Sequence, residues 1–240
     1  MRANGKYDIP TGGLASRHGS IVGVEIGYDT IYMARLGSGS DGEVRPDSCR
    51  EFKYDPKLAV ESAEFAASLK RALNEFCGSS SEVEIWSAPK SDQGRVCSIN
   101  TPPVGASRLQ GAAHWALQRE EPFLEKETVV DFQIEGGAEP NANRNLNISG
   151  VLFSRNDVEN VKGAFSRAGY QLAGISLPSL AFCNLVNFLD EQLREDPVLI
   201  CHTGYYSTSL SVHCEGRLVF SRSVPLGLQS LADTVEKELD

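Results

Sequence analysis

The sequence predicts a duplicated α/β fold in which two halves of similar design face each other across a cleft. Two stretches, "GVEIGYDTIYMARL" from Gly23 and "VLICHTGYYSTSL" from Val198, carry this prediction. In each stretch, an apolar strand reaches a polar residue, then a glycine, two further residues and a hydroxyl side chain. An alternating strand, a second glycine turn and another strand then follow. Helices and strands mixed between the two copies complete the α/β pattern.

Composition and charge describe an ordinary globular protein. The 240 residues suffice for one large domain or two small ones. Acidic residues outnumber basic ones by 32 to 23, and the basic residues are scattered, which argues against a nucleic-acid partner. No apolar run approaches the roughly 20 residues that cross a bilayer, and the start of the chain lacks the apolar segment of a secretory signal. We therefore expect a cytoplasmic protein without direct membrane insertion.

The cysteines and histidines form no recognisable disulfide or metal pattern. No CxxC pair occurs, and most cysteines lie in apolar stretches, so we expect them to be reduced and buried. The histidines lack the HxxxH or HxxE spacing of a metal site, so no metal site is predicted. The residues concerned are Cys49, Cys77, Cys97, Cys183, Cys201, Cys214, His18, His114, His202 and His213.

The first ordered elements are predicted to be a hairpin and a helix. Residues 1–20 are rich in Gly, Ser and charge without periodicity, and we expect a flexible leader there. The apolar run Ile21 to Ile26 predicts a buried strand, and the alternation from Thr30 to Leu36 predicts its neighbour. Apolar residues at helical spacing from Leu58 then predict a helix that ends at Gly78.

Further strands and helices alternate along the rest of the chain. The loop "EGGAEPNANRN" separates two strands and should be exposed, because its Gly, Pro and Asn residues favour turns. Ser154 followed by Asp157 resembles a capping box, and the helix that it opens should end at Gly169. Strands are predicted at Val83 to Pro89, Arg95 to Pro103, "TVVDFQI", "LNISGVLFS" and "YQLAGISL", and helices at Ser107 to Arg119, Pro178 to Leu193 and "LQSLADTVEKELD".

The spacing of the two glycine turns leaves open whether they bind a phosphate or only connect strands. In a shared cleft, backbone N–H groups and hydroxyls could donate to phosphate oxygens while Glu25 holds a metal ion through water. A plain turn between strands explains Gly27 and Gly204 as well.

One helix carries two further features of interest. Trp115 is expected to pack inside, and the pair Glu120 and Glu121 is expected to be a solvated helix end. Either feature could instead mark a partner surface.

Four segments resemble the actin-like ATPase superfamily, and within it the PilM branch of type IV pilus assembly proteins, relatives of FtsA and of the type II secretion protein GspL. The opening stretch resembles the family's phosphate-1 hairpin, and "VLICHTGYYSTSLSVHCEGRLVFSRSVPLG" resembles phosphate 2 with its following strands. "AHWALQREEPFLEKETVVDFQI" and "VLFSRNDVENVKGAFSRAGYQLAGISLPSLAFCNLV" are similar to segments of that branch which actin-like kinases and chaperones lack. The resemblance implies an α/β, actin-like (ribonuclease H-like duplicated) fold with an FtsA/PilM-type 1C subdomain and an incomplete second domain.

The resemblance also implies a division of the chain. After the leader, subdomain 1A would span 21–95, subdomain 1C would span 96–177, and a return helix of 1A would span 178–196. Domain 2 would begin at 197 and be truncated at 240, because the relatives continue with a further subdomain and a Gly-rich segment that contacts adenosine.

The resemblance assigns candidate phosphate-binding residues to both hairpins. They are Glu25, Gly27, Tyr28 and Thr30 in the first hairpin, and Gly204, Ser207 and Thr208 in the second.

Other positions in the hairpins depart from the family's pattern. Tyr32 stands where the family commonly has lysine, His202 stands where it has aspartate, and Tyr205 and Tyr206 occupy positions that are usually small. An imidazole cannot replace a carboxylate that organises hydrated magnesium. We therefore expect no catalytic residue, no metal beyond one that Glu25 could hold through water, and no cofactor in this chain, although a longer form could bind ATP and magnesium.

The implied function is that of a cytoplasmic adaptor in type IV pilus assembly. It would bind the N-terminal tail of an inner-membrane, PilN-like pilus protein in a groove between subdomains 1A and 1C, and would reach the inner membrane through that partner. A GspL-like type II secretion subunit is one alternative, and a functional actin-like ATPase or phosphotransferase is another. Such an enzyme needs an acid pair, an adenosine site and a base, of which the sequence offers Glu25.

Overall fold

The computed structural model describes residues 20–38, 44–78, 83–88, 94–134, 143, 145–189, 196–215 and 217–239. Within these ranges the chain forms three sheets and five helices. Except for Ser20, the predicted leader lies outside the described residues, as do most of the predicted loop 135–145 and the end of the predicted helix beyond Leu189.

The first sheet contains five strands in the order β3-β2-β1-β4-β8. The three strands β1, β2 and β3 are antiparallel neighbours, whereas β4 and β8 run parallel to β1. Parallel strands need crossover connections, and helices supply them here. The elements are β1 (Ser20–Ile26), β2 (Thr30–Ser38), β3 (Val44–Lys53), α1 (Ala63–Cys77), β4 (Val83–Ala88) and β8 (Leu172–Ile175).

Two capped helices cover this sheet and form its core. The Ser62 hydroxyl accepts from the N–H of Phe65 at the start of α1, and Gly78 ends that helix at φ 67°. In the same way, Ser154 caps α3 (Arg155–Ala168), and Gly169 ends it at φ 90°, as the sequence predicted. Apolar side chains of both helices pack with those of the sheet in one cluster, which includes Phe65, Leu69 and Phe165.

A second layer lies between β4 and α3 in the chain. It contains β5 (Arg95–Thr101), α2 (Ala106–Glu120), β6 (Thr128–Ile134) and β7 (Leu146–Ser154), with the strand order β5-β7-β6 and a separate apolar cluster beneath α2. The segment expected to form subdomain 1C, 96–177, therefore divides in its packing. Its first part forms this layer, whereas α3 and β8 belong to the core of the first sheet.

The second copy of the hairpin unit forms the third sheet, with the order β11-β10-β9. Helix α4 (Pro178–Leu189) precedes it and packs against β10 and β11. The strands are β9 (Val198–Thr203), β10 (Thr208–Cys214) and β11 (Arg217–Val224), and they are followed by α5 (Leu228–Leu239), which buries none of its residues.

The solvent exposure of Trp115 and of two cysteines differs from the sequence-based expectation. Trp115 was expected to pack inside, but its side chain is 76% exposed, because it lies on the outer face of α2 while Leu109, Ala113 and Leu117 face the strands. The cysteines are free but not uniformly buried. Cys49 and Cys201 are exposed, since each lies on an uncovered face of its strand, whereas Cys77 and Cys183 are buried.

The helices of the described residues were also compared with the length and apolarity that a bilayer requires. None of them is long and apolar enough to cross a membrane.

Candidate functional site

The two glycine turns have the same geometry. In the first, the N–H of Gly27 donates to the carbonyl of Thr30 at 2.9 Å, and in the second, the N–H of Gly204 donates to the carbonyl of Ser207 at 2.8 Å. The matched spacing in the sequence therefore corresponds to a repeated turn between two antiparallel strands. In both turns, the glycine N–H that could donate to a phosphate is already used.

The first turn is held further by side chains from β3. Lys53 Nζ donates to Thr30 Oγ1 at 2.7 Å and pairs with Asp29 at 3.2 Å, and Thr30 Oγ1 donates to Asp29 Oδ1 at 2.7 Å. The Thr30 hydroxyl and then Lys53 hold the pKa of Asp29 below its usual range. The Tyr54 hydroxyl donates to the carbonyl of Gly27 at 2.6 Å, and burial raises its pKa to about 12.

Two predicted hydroxyl donors consequently do not face the cleft. Thr30 is completely buried and its oxygen is shared between Asp29 and Lys53. The Thr208 hydroxyl donates to the carbonyl of Leu226 at 2.6 Å and ties the start of β10 to the segment before α5. Neither residue lines the cavity between the turns.

A cavity of about 820 Å³ lies between the two turns, as their pairing predicts. Five of the seven candidate residues line it, namely Glu25, Gly27, Tyr28, Gly204 and Ser207. The remaining walls come from four places: the start of β5, the end of α2, the segment around the start of α4, and the strands of the third sheet. They include Gly94, Arg95, Cys97, Glu121, Leu177, Ser179, His202, Ser209, Ser221, Arg222 and Ser223.

Aromatic rings occupy the space directly between the turns. Tyr28 from the first turn stacks on Tyr205 from the second, with ring centroids 3.6 Å apart and an interplanar angle of 5°. Tyr206 packs edge-on against both rings. A hydrogen bond with Tyr205, and then burial, raise the pKa of the Tyr28 phenol. The Tyr28 phenol therefore stays neutral at pH 7, and the cluster joins the turn of the first sheet to that of the third by ring packing.

Two pairs of ionisable side chains line the same cavity. Glu25 Oε1 at the end of β1 lies 3.9 Å from His202 Nε2 at the end of β9, and Phe182 of α4 packs against the imidazole. Arg95 of β5 forms an ion pair with Glu121, which follows α2. Glu121 was expected to be a solvated helix end, and the structure instead places it at the cavity wall.

These residues do not fit a magnesium-bound triphosphate. Such a group needs free backbone donors, room for the phosphates and carboxylates around the hydrated ion. Here the glycine N–H groups are bonded within their turns, a tyrosine stack lies between the turns, and Glu25 faces an imidazole. The described residues contain no group of three or more His, Cys, Asp or Glu side chains placed to hold a metal ion.

The architecture can be compared with known proteins. No protein-family model and no curated protein matches the chain. Among solved structures, a chain of the PilM-PilN type IV pilus biogenesis complex aligns with a TM-score of 0.72, covering 91% of this chain and 65% of that chain at 19% identity. A protein from Bacteroides thetaiotaomicron with an actin-like ATPase fold aligns with a TM-score of 0.49, covering 92% and 75% at 12% identity.

The chain has an actin-like fold. It spans 65% of the length of the PilM-PilN complex chain that it matches. The cytoplasmic domain of EpsL, an inner-membrane component of the type II secretion system of Vibrio cholerae, also aligns, with a TM-score of 0.51, covering 86% of this chain and 71% of that domain at 12% identity. At these identities the likeness is one of fold.

Sequence reasoning missed several residues at the first turn and in the cleft. Lys53 lies 23 residues beyond Thr30 in the chain, yet it supplies the positive charge at the first turn. From the sequence, that charge had been sought only at Tyr32, where the family commonly has lysine. Pairing of β2 with β3 brings Lys53 to the turn, and no local spacing in the sequence signals it. Arg95, Arg222 and the serines of β10 and β11 were likewise missed, because they reach the cleft through tertiary packing of separate sheets.

Proposed function

We propose that this chain is a cytoplasmic adaptor of type IV pilus assembly that binds the N-terminal tail of an inner-membrane, PilN-like protein and whose nucleotide site is degenerate. The degenerate nucleotide site in this proposal is supported by the stack of Tyr28 on Tyr205, since the two rings lie directly between the two turns. The described residues near the stack include no second carboxylate paired with Glu25 across the cleft, where His202 lies instead.

The groove proposed for the tail lies where β5 meets the first sheet and its helices. In the described sheet order β7 is the neighbour of β5, so β5 is an edge strand, and β11 of the third sheet also contacts it. Gly94 lies at the start of β5, and a side chain there would clash with Leu177. Arg95 and Glu121 provide charges of both signs at the rim.

An extended tail of about 8 to 10 residues could gain several main-chain hydrogen bonds at this edge, each worth roughly 0.5–1.5 kcal/mol net. One or two apolar side chains in pockets would add roughly 1.5–3 kcal/mol each. After the cost of ordering the tail, roughly micromolar affinity is expected.

Pilus assembly is preferred to type II secretion because the fold matches the chain of the PilM-PilN complex more closely than the EpsL domain, with TM-scores of 0.72 and 0.51. A GspL-like role in type II secretion remains the alternative within this class. A functional actin-like ATPase that binds ATP and magnesium is the alternative from another class.

The experiment titrates this chain into the fluorescently labelled N-terminal tail of the pilus membrane protein that is encoded next to it. Fluorescence anisotropy of the tail reports binding. The wild-type chain should bind at micromolar concentration, and a scrambled tail should not. Gly94→Ala should weaken binding, because the added Cβ displaces Leu177 at the groove. Gly23→Ala is the matched control, since a Cβ there meets no atom within 4 Å. Absence of binding up to about 1 mM tail, with the protein folded by circular dichroism, would reject the adaptor role.

A further inference from the structure

The first and third sheets are separate units that meet at the cavity. In the described part of the chain, no strand of one pairs with a strand of the other. Glu25 and His202 face each other across the cavity at 3.9 Å, but their side chains are 46% and 36% exposed, and ion pairs this exposed contribute little to stability. This pair alone does not fix the position of one sheet relative to the other.

Three tyrosine rings make a packed contact between the two sheets. Tyr28 follows β1 of the first sheet, and Tyr205 and Tyr206 follow β9 of the third. Besides the stack of Tyr28 on Tyr205, the Tyr206 ring meets both of these rings edge-on, with centroids 5.3 and 4.9 Å apart and interplanar angles of 86° and 89°. Edge-on packing is an arrangement that aromatic pairs favour. We call these three residues the tyrosine bridge.

The first turn presents Tyr28 from a fixed backbone. The Tyr54 hydroxyl donates to the carbonyl of Gly27, directly before Tyr28. The N–H of Tyr54 donates to the carbonyl of Asp29, directly after Tyr28, at 2.9 Å. Both bonds tie the turn to the end of β3, so Tyr28 cannot leave the first sheet without breaking them.

The second turn is fixed in a similar way by the segment that leads into α5. The N–H of Leu228 donates to the carbonyl of Gly204 at 3.0 Å. The next N–H, that of Gln229, donates to the carbonyl of Tyr205 at 3.0 Å. A side chain at Gly227 would clash with the backbone of Tyr205, so the two segments lie in close contact. Because each turn is held on its own side, the two sheets separate here only if the rings part.

The position of the third sheet also bears on the groove proposed for the tail. Strand β11 of that sheet contacts β5, the strand at which the tail is proposed to add. The three tyrosines and the start of β5, including Arg95 and Cys97, line the same cavity. A movement of the third sheet away from the first would therefore change one wall of the groove.

We propose that the tyrosine bridge keeps the third sheet beside the first and thereby holds the tail groove in its binding shape. The link to the groove rests on the proposed function, whereas the bridge itself does not. Loss of the Tyr28 ring shifts the population toward arrangements in which the sheets are further apart. If about one tenth of the molecules keep the binding shape, the apparent affinity for the tail falls about tenfold.

Two native cysteines allow the distance between the sheets to be measured. Cys49 in β3 and Cys201 in β9 are exposed free thiols that accept nitroxide labels. The two partly buried thiols are removed as Cys97→Ser and Cys214→Ser, and the buried cysteines stay unlabelled. Double electron-electron resonance then gives the distance distribution between the labels. The protein with an intact bridge should give one narrow distribution.

Variants of the bridge should change this distribution from either side. Tyr28→Ala removes the ring through which the first sheet contacts both others, and it should broaden the distribution toward longer distances. The double variant Tyr205→Ala, Tyr206→Ala removes the same contacts from the third sheet and should match it. The triple variant should broaden the distribution no further, because the contacts are already lost.

Two control variants isolate ring packing. Tyr28→Phe keeps the ring, and Phe220→Ala removes an exposed ring of the third sheet outside the bridge, so both should resemble the intact protein. Circular dichroism verifies folding, and if one alanine variant fails to fold, the other decides. A narrow distribution in a folded alanine variant, or equal broadening in Tyr28→Phe, would overturn the bridge.

The link to the groove is tested with the labelled tail and the chain without nitroxide labels. Tyr28→Ala should weaken tail binding about tenfold, and Tyr28→Phe should bind like the wild type. Unchanged tail affinity in a variant with a broadened distribution would overturn the link. No tail binding by the wild-type chain would reject the adaptor role and with it the link to the groove, whereas the distance measurement tests the bridge by itself.

Discussion

The first and second glycine turns close with the same hydrogen bond, yet the sheets that continue from them are packed very differently. The first sheet is covered by α1 and α3, and its inward side chains belong to a large apolar cluster. The third sheet, which continues from the second turn, contacts α4 on one side, while Leu199 and Phe220 remain exposed on the other. Local sequence therefore sets the turn, and tertiary cover sets how firmly the unit is held.

The largest expected difference between the first and third sheets is the loss of stability when a side chain is truncated. Leu69→Ala removes a fully buried side chain of α1 and should lower the free energy of unfolding by about 2–5 kcal/mol. Leu199→Ala removes a side chain that is 65% exposed and should change it by about 0.5 kcal/mol or less. Urea denaturation followed by circular dichroism measures both values. Similar losses in the two variants would mean that the third sheet is covered in solution.

A second comparison concerns the turn glycines themselves. A Cβ at Gly27 would lie 2.9 Å from the carbonyl oxygen of Thr30 and 3.1 Å from the Tyr32 ring, whereas a Cβ at Gly204 would lie 3.3 Å from the carbonyl oxygen of Ser207. Gly27→Ala should therefore destabilise the protein by about 1–3 kcal/mol, and Gly204→Ala by less than about 1 kcal/mol. The same denaturation measurement applies, and a larger loss at Gly204 would contradict this reading of the turns.

The smallest expected difference is one of pH. His213 in β10 is buried, with Nδ1 unpartnered, and burial lowers its pKa from about 6.5. Because the unfolded chain takes up this proton first as the pH falls, the third sheet should lose stability below about pH 6.5. Asp29 at the first turn has a pKa lowered from 3.8, so its contribution is present above that value and is lost only at more acidic pH.

Hydrogen exchange of backbone amides at pH 7 and at pH 5.5, corrected for intrinsic rates, distinguishes the pH range of the His213 effect from that of the Asp29 effect. The amides of β9, β10 and β11 should lose protection relative to those of β1 and β2. His213→Gln, which does not titrate, should remove the pH dependence of that loss. Equal protection loss in both sheets, or an unchanged response in the variant, would exclude His213 as the cause.

Much of the fold could be predicted from local signals. The capping serine of α3 and the terminal glycines of α1 and α3 act within a few residues, and the repeated strand, glycine and hydroxyl pattern reports the two turns. These features depend on neighbours in sequence, and they are confirmed.

The content of the cleft could be predicted only in part. The bulk of Tyr205 and Tyr206 was evident, but their packing with Tyr28 depends on how two lobes approach each other. Lys53 at the first turn requires strand pairing, and the exposure of Trp115 depends on which face of α2 meets the strands. No spacing within a single element carries such information.

The claim that the paired turns hold an aromatic stack in place of a phosphate is tested most directly by isothermal titration calorimetry with magnesium ATP. The wild-type chain should show no binding up to about 1 mM nucleotide, because the glycine donors are used in the turns and Glu25 faces His202. Tyr28→Ala, which removes one ring of the stack, should not by itself create a site. Micromolar affinity in the wild-type chain that disappears in a Glu25→Ala variant would contradict the account.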